Sequence, residues 1–178
     1  WRHAAWASGF GRVRVHATGV ESAGPFHAVF FGAGALAITA QVLLLRELMV
    51  SLAGDETALG VGLAAWLGGI AAGAWFARIL ARDRHAAAAA GLAGLAIMAS
   101  VGILAGRFLR AALAPPPGEL PGFGLAVALA LAMLAPAGGL VGWTFTALAA
   151  SAARVWHAAE GIARLYISES LGSLAGGL

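Results

Sequence analysis

Hydrophobic residues along this chain come in long unbroken runs, and four of them carry no charge over a membrane-crossing length: 28–45, 57–77, 86–106 and 120–153. A bilayer core about 30 Å thick needs roughly 20 helical residues, so each run predicts a span. The last is 34 residues, too long for one untilted span and too short for two. It predicts one helix from about Phe123, tilted or kinked at Pro136, whose last turns emerge into the interface. A fifth apolar run begins at Leu165 and reaches Leu178 after only about 21 Å of helical rise. Transmembrane barrel strands would alternate over about ten residues, whereas these runs are continuously apolar. The expected fold is therefore all-α, a polytopic transmembrane helix bundle with four complete spans and a truncated fifth. The spans are placed at about 26–53, 57–80, 86–110, 123–150 and 165–178, after an N-terminal cytoplasmic or interfacial segment, 1–25. The unfinished last run and the Trp at position 1 read as a fragment or processed segment of something larger.

Composition agrees with that class. Hydrophobic residues make up 61% of the chain and charged residues 11%, and the mean hydropathy is +0.86. The lipid bilayer is thus the first partner expected, together with a missing C-terminal part of the same chain. In residues 1–25, Trp1, Trp6, Phe10, Arg12 and Arg14 suit a segment lying on headgroups, while Gly9, Gly11, Gly19, Gly24 and Pro25 argue against one long helix. No compact apolar core with a cleavage site precedes the first span, so the segment does not resemble a signal peptide.

All eleven basic residues are Arg, and their placement predicts orientation. Arg2, Arg12, Arg14, Arg78, Arg82, Arg84, Arg154 and Arg164 fall on one side of the spans, and only Arg107 and Arg110 approach the other. The positive-inside rule makes the side with eight cytoplasmic, with the N-terminus inside and Asp55 and Pro116 outside. The formal charge of +3 and the sequence pI of about 11.0 follow from that loop bias. With no basic helix or aromatic platform, nucleic acid is not an expected partner.

Polar groups at membrane depth are the candidates for function, because ionisable side chains are costly there. Gln41, Arg46 and Glu47 lie late in the first span, and Glu169 lies one turn into the last run. Neighbouring helical positions point about 100 degrees apart, so Arg46 and Glu47 make a poor mutual pair. Two arrangements fit. Either both lie near the outer end and snorkel, or Gln41, Arg46 and Glu47 line an internal polar cavity. In both, Arg46, Glu47 and Glu169 are expected to turn toward protein or water, Arg46 with outer-half partners and Glu169 with groups near the cytoplasmic helix ends. Gly54, Asp55 and Glu56 read as turn chemistry, with Asp55 placed to cap the next helix. Glycines one turn apart, Gly69 and Gly73, Gly102 and Gly106, Gly138 and Gly142, Gly172 and Gly176, predict close helix packing within the bundle.

Recognisable soluble catalytic motifs are missing from the sequence. Gly32-Ala-Gly34-Ala-Leu-Ala37 fits G-x-G-x-x-A by letter, but that motif works only between a buried strand and a helix, and here it opens an apolar span. Walker A, G-x-S-x-G and H-E-x-x-H are absent, so no catalytic residue is assigned and no cofactor is expected in this segment. Cysteine is absent, and His3, His16, His27, His85 and His157 all flank spans with no two spaced as a metal pair, so no metal site is expected.

Three stretches resemble bacterial membrane-bound spermidine synthase-like proteins. Residues 41–50 with the acidic turn after them, and Leu59 to Gly73 around Trp66, resemble the opening helices of that family. Leu165-Tyr166-Ile-Ser168-Glu169-Ser-Leu-Gly172-Ser-Leu-Ala-Gly176 resembles a later helix. The resemblance implies a multi-pass region of the bacterial inner membrane joined to a Rossmann-like domain similar to polyamine aminopropyltransferases, which move an aminopropyl group from decarboxylated S-adenosylmethionine to putrescine. None of that domain's glycines or acidic residues maps onto this chain. A second reading is part of a major-facilitator-like transporter, whose Gly-x-x-x-Asp-Arg type loop is loosely matched between Gly73 and Arg84. A third is a membrane scaffold for a partner enzyme.

Overall fold

The computed structural model describes residues 23–52, 56–113, 122–154 and 158–178, and these form five α-helices with no strand among them. They are α1 (Ala23–Ser51), α2 (Glu56–Leu80), α3 (Arg84–Leu113), α4 (Phe123–Ala152) and α5 (Ala158–Gly177). The first four are long and apolar enough to cross a membrane. The fold is the all-α bundle expected from the runs.

Helix ends follow local chemistry. Pro25 falls in the first turn of α1, where its missing N–H would be unpaired anyway, so the helix starts before the position at which the sequence placed it. Asp83 caps α3, its Oδ1 accepting the backbone amides of His85 at 3.0 Å and Ala86 at 3.1 Å. Glu56 stands in the first turn of α2, favourably placed for the helix dipole. The proposed Asp55 cap and the 1–22 segment lie outside the described residues. The start of α5 is a correction. It begins at Ala158 and runs through Arg164, where the sequence had placed a loop. The apolar run marked only the more hydrophobic part of a longer helix, because alanine-rich turns carrying charges propagate a helix as readily as apolar ones.

The helix directions are those of consecutive crossings. Positions 31 and 35 of α1 meet positions 172 and 176 of α5, and positions 66 and 70 of α2 meet 138 and 142 of α4, so both pairs are parallel. Leu44 and Glu47 of α1 lie over Gly102 and Gly106 of α3, also parallel. On α3, Gly91 and Gly94 meet Thr144 and Leu140 of α4, which therefore runs the other way.

Glycine sets the closest approaches. A Cβ on Gly69 or Gly73 would strike the carbonyls of Ala135 or Gly139, and one on Gly138 or Gly142 those of Trp66 or Ile70. Backbone thus rests on backbone along α2 and α4, where lipid gives no hydrophobic drive and contact itself must stabilise. The same occurs where Gly172 and Gly176 meet the Phe31 and Ala35 carbonyls. Pro136 is inside α4 but exposed, so its ring does not interrupt this seam.

Two apolar clusters fill the interior. The larger gathers Leu44, Leu48 and Leu52 of α1, Leu95 of α3, Leu134 of α4 and Trp66 of α2. The smaller lies toward the start of α1, where Phe30 stands edge-on to Phe145 at 6.0 Å, and Leu165 of α5 is also buried. Outside, Leu67, Trp75, Ile79, Ile97, Phe108 and Leu174 are each more than half exposed, a surface suited to acyl chains. An open apolar groove of about 740 Å³ follows the α2–α4 seam past Gly68, Ala72, Leu131 and Pro136.

Candidate functional site

Rotation about α1 sorts its polar residues. Leu44 and Glu47 lie three apart and share the face toward α3, where glycine leaves room for both. A Cβ on Gly102 would sit 2.6 Å from Leu44 Cδ2, and one on Gly106 would sit 2.6 Å from Glu47 Cγ. Glu47 is half-buried with its Oε1 enclosed. Leu45 points elsewhere, toward Gly62 of α2, and Gln41, one turn before it, is half-buried on that side. Gln41 and Glu47 therefore occupy different faces of α1, toward α2 and α3 respectively.

Arg46, one position before Glu47, is exposed. With Glu47 directed at Gly106, the neighbouring position is rotated by about 100 degrees toward the outside of the bundle. It still has polar surroundings. Arg46, Glu47 and Arg107 of α3 border one cavity of about 350 Å³, with Leu43, Val50 and Ile103 as its apolar wall. Arg46 and Glu47 both lie within about two turns of the end of α1 at Ser51, close enough for a long side chain to reach the interface.

Glu169 lies deeper than the sequence placed it. Because α5 starts at Ala158, the carboxyl stands about 16 Å into the helix rather than one turn in. Its neighbours are mid-helix groups, which corrects the expectation of partners at the cytoplasmic ends. Glu169 borders a small, partly open space of about 20 Å³ with Gly34 of α1, Leu92 and Leu95 of α3, and Thr144 and Phe145 of α4. That is room for about one water molecule. Ser173 Oγ lies between Glu169 Oε1 at 3.4 Å and the Gly34 carbonyl at 3.3 Å, and its single proton serves one of them at a time. Gly34 makes the approach possible, since a Cβ there would strike the Glu169 carbonyl.

A longer polar seam continues from Glu169 along α1 and α5. His27 Nδ1 is 2.6 Å from Ser168 Oγ, which also lies 3.1 Å from the Arg164 carbonyl, so the His27 tautomer sets which of the two the Ser168 proton serves. Further along, Thr39 donates to the Gly176 carbonyl at 3.1 Å. Sequence reasoning had left His27 at the interface and did not single out Thr39, Ser168, Ser173 or Thr144. The available signal was the spacing Leu165, Ser168, Glu169, Gly172, Ser173, Gly176, a three-and-four repeat that gathers several polar and small residues of α5 on one face.

No family model, curated protein or solved structure matches this chain. The chemistry of the site therefore rests on its residues. The described residues hold no group of three His, Cys, Asp or Glu side chains placed to share a metal ion. What they offer is a carboxyl with hydroxyl and carbonyl neighbours inside the bundle, and a mixed-charge cavity at the far end of α1. Either can hold a hydrogen-bonded polar group; neither presents a nucleophile with its base.

Proposed function

We propose that this chain is the membrane domain of a bacterial spermidine synthase-like protein. It would sit in the cytoplasmic membrane with its N-terminus inside and hold an aminopropyltransferase-like domain, carried elsewhere on the parent chain, against the inner face. The α1–α5 seam supports this reading best. Two of the three resembling stretches lie on α1 and α5, and the residues that carry the likeness on α5, Glu169, Gly172 and Gly176, are those that face α1. A span that merely faces lipid accepts any apolar residue, whereas a seam of backbone contacts and intramembrane hydrogen bonds requires particular ones. The division of labour follows: the bundle supplies anchoring, and the chemistry belongs to the soluble domain.

The test is aminopropyl transfer by the complete protein in membranes, given decarboxylated S-adenosylmethionine and putrescine. Spermidine formation is the expected result. A parent reading frame with six or more further apolar spans, and no α/β segment bearing a Gly-rich loop after a strand, overturns the proposal. It would favour the transporter reading, for which the inward carboxyl of Glu169 is the relevant observation.

A further inference from the structure

At the end of the bundle where α1 begins, two separate segments bring their arginines to one place. Arg82 and Arg84 flank the α2–α3 turn, and Arg154 follows the last turn of α4. Together with Asp83, His85 and Ser151 they enclose a cavity of about 270 Å³. Asp83, the carboxylate among them, directs its Oδ1 at the amides of His85 and Ala86 and so serves the start of α3. The cavity therefore presents three guanidiniums against one carboxylate already engaged in capping.

The walls are held from beneath. Trp143 Nε1 donates to the Ala87 carbonyl at 2.9 Å, tying α4 to the first turn of α3. Ser151 is buried and donates to the Ala147 carbonyl at 3.0 Å. The His85 ring lies 6.5 Å from Phe26 at the start of α1. Three helices thus fix the backbone from which the arginines project. Loop bias alone requires only a number of positive residues on one side; it does not require residues distant in sequence to border one cavity. Arg78 contributes equally to that bias and stands outside the cavity.

We infer that this cavity binds a phosphate group, with the headgroup phosphate of an anionic phospholipid as its source in the leaflet on that side. Guanidinium forks match phosphate oxygens in pairs, and basic pockets between transmembrane helices recognise acidic headgroups on electrostatic grounds. The site opens at the end of the helices, at headgroup level, and the exposed guanidiniums of Arg82 and Arg154 reach it without burial. The inference uses the orientation proposed above only to name the leaflet as cytoplasmic. Its test does not depend on aminopropyl transfer.

The complete protein is reconstituted in phosphatidylcholine nanodiscs, and binding of short-chain phosphatidylglycerol is measured by native mass spectrometry. Inorganic phosphate is titrated in a second arm. Arg82→Gln and Arg154→Gln should each weaken phosphatidylglycerol binding about fivefold, the share of one basic residue near the membrane surface. Arg78→Gln, an equal loss of charge outside the cavity, should leave it unchanged. Circular dichroism confirms that each variant is folded. If inorganic phosphate binds with the same dependence on Arg82 and Arg154 while phosphatidylglycerol does not, the phosphate site stands and its source is soluble. Binding that is insensitive to Arg82 and Arg154, or that falls equally with Arg78→Gln, overturns the inference.

Discussion

The seam between α2 and α4 is the most quantitative feature of the fold, and Gly73→Ala probes it with one methyl group. The new Cβ would strike the Gly139 carbonyl oxygen and lie 2.6 Å from its carbon and 2.8 Å from the Gly139 Cα. Those atoms are backbone, so relief requires moving a helix. Overpacking of this kind costs about 1–3 kcal/mol, and the absence of a movable side chain puts Gly73 at the upper end. The Ala substitution returns about 0.5–1 kcal/mol of helix propensity, leaving a net loss on the order of 2 kcal/mol. Gly102→Ala gives a graded comparison, because its Cβ meets only the Cδ2 end of Leu44 at 2.6 Å, which a rotamer change can clear. Gly68→Ala is the control: nothing lies within 4 Å of its Cβ. Thermal unfolding in detergent should rank the variants Gly73→Ala lowest, Gly102→Ala next, and Gly68→Ala at or slightly above the parent. At about 2–4 °C per kcal/mol for a chain of this size, the Gly73 variant should fall by about 4–8 °C. If Gly73→Ala and Gly68→Ala unfold at the same temperature, the two helices do not touch backbone to backbone and the seam is wrong.

Three further outcomes are expected. Ser168→Ala removes the 2.6 Å partner of His27 and should destabilise the bundle by about 0.6 kcal/mol, the usual worth of one interhelical hydrogen bond in a membrane; a loss above about 2 kcal/mol, read by the same unfolding assay, would mean that the seam acts as a network. Arg46→Gln, at an exposed position, should shift stability by less than about 0.5 kcal/mol, whereas Gly106→Leu, which displaces the Glu47 side chain, should cost about 1–3 kcal/mol; equal effects would contradict the rotation of α1. Single cysteines introduced into this cysteine-free chain should react with an impermeant external reagent at position 55 and not at position 83, and the reverse pattern would invert the topology.

The four long helices were legible because a bilayer demands continuous apolar length, a property of the sequence itself. The start of α5 was not, since Glu160 and Arg164 interrupt hydrophobicity without interrupting a helix. That error alone moved Glu169 from one turn deep to about three. Glycine spacing marks Gly69, Gly73, Gly138 and Gly142 as surfaces for close approach, yet with several such pairs in the chain the sequence does not say which meets which. The exposure of Arg46 depends on the rotation of α1 about its axis, set by Gly102 and Gly106 on another helix. His27 and Ser168 are 141 positions apart, so their contact had no local signal.

The pairing of α1 with α5 also has a consequence in time. The two helices lie parallel, but α1 is made before α5, and positions 52–157 must be synthesised between them. At about 5–20 residues per second, that interval is on the order of 5–20 s. Throughout it, the face of α1 carrying His27, Gly34 and Thr39 has no α5 to meet, while α2, α3 and α4 are inserted and can already close on one another. Helix α5 then docks along the face that α1 has left open. A substitution that blocks docking, such as a bulky side chain at Gly172, would accordingly leave α1 to α4 inserted with the α1 face uncovered, instead of a chain that failed to insert.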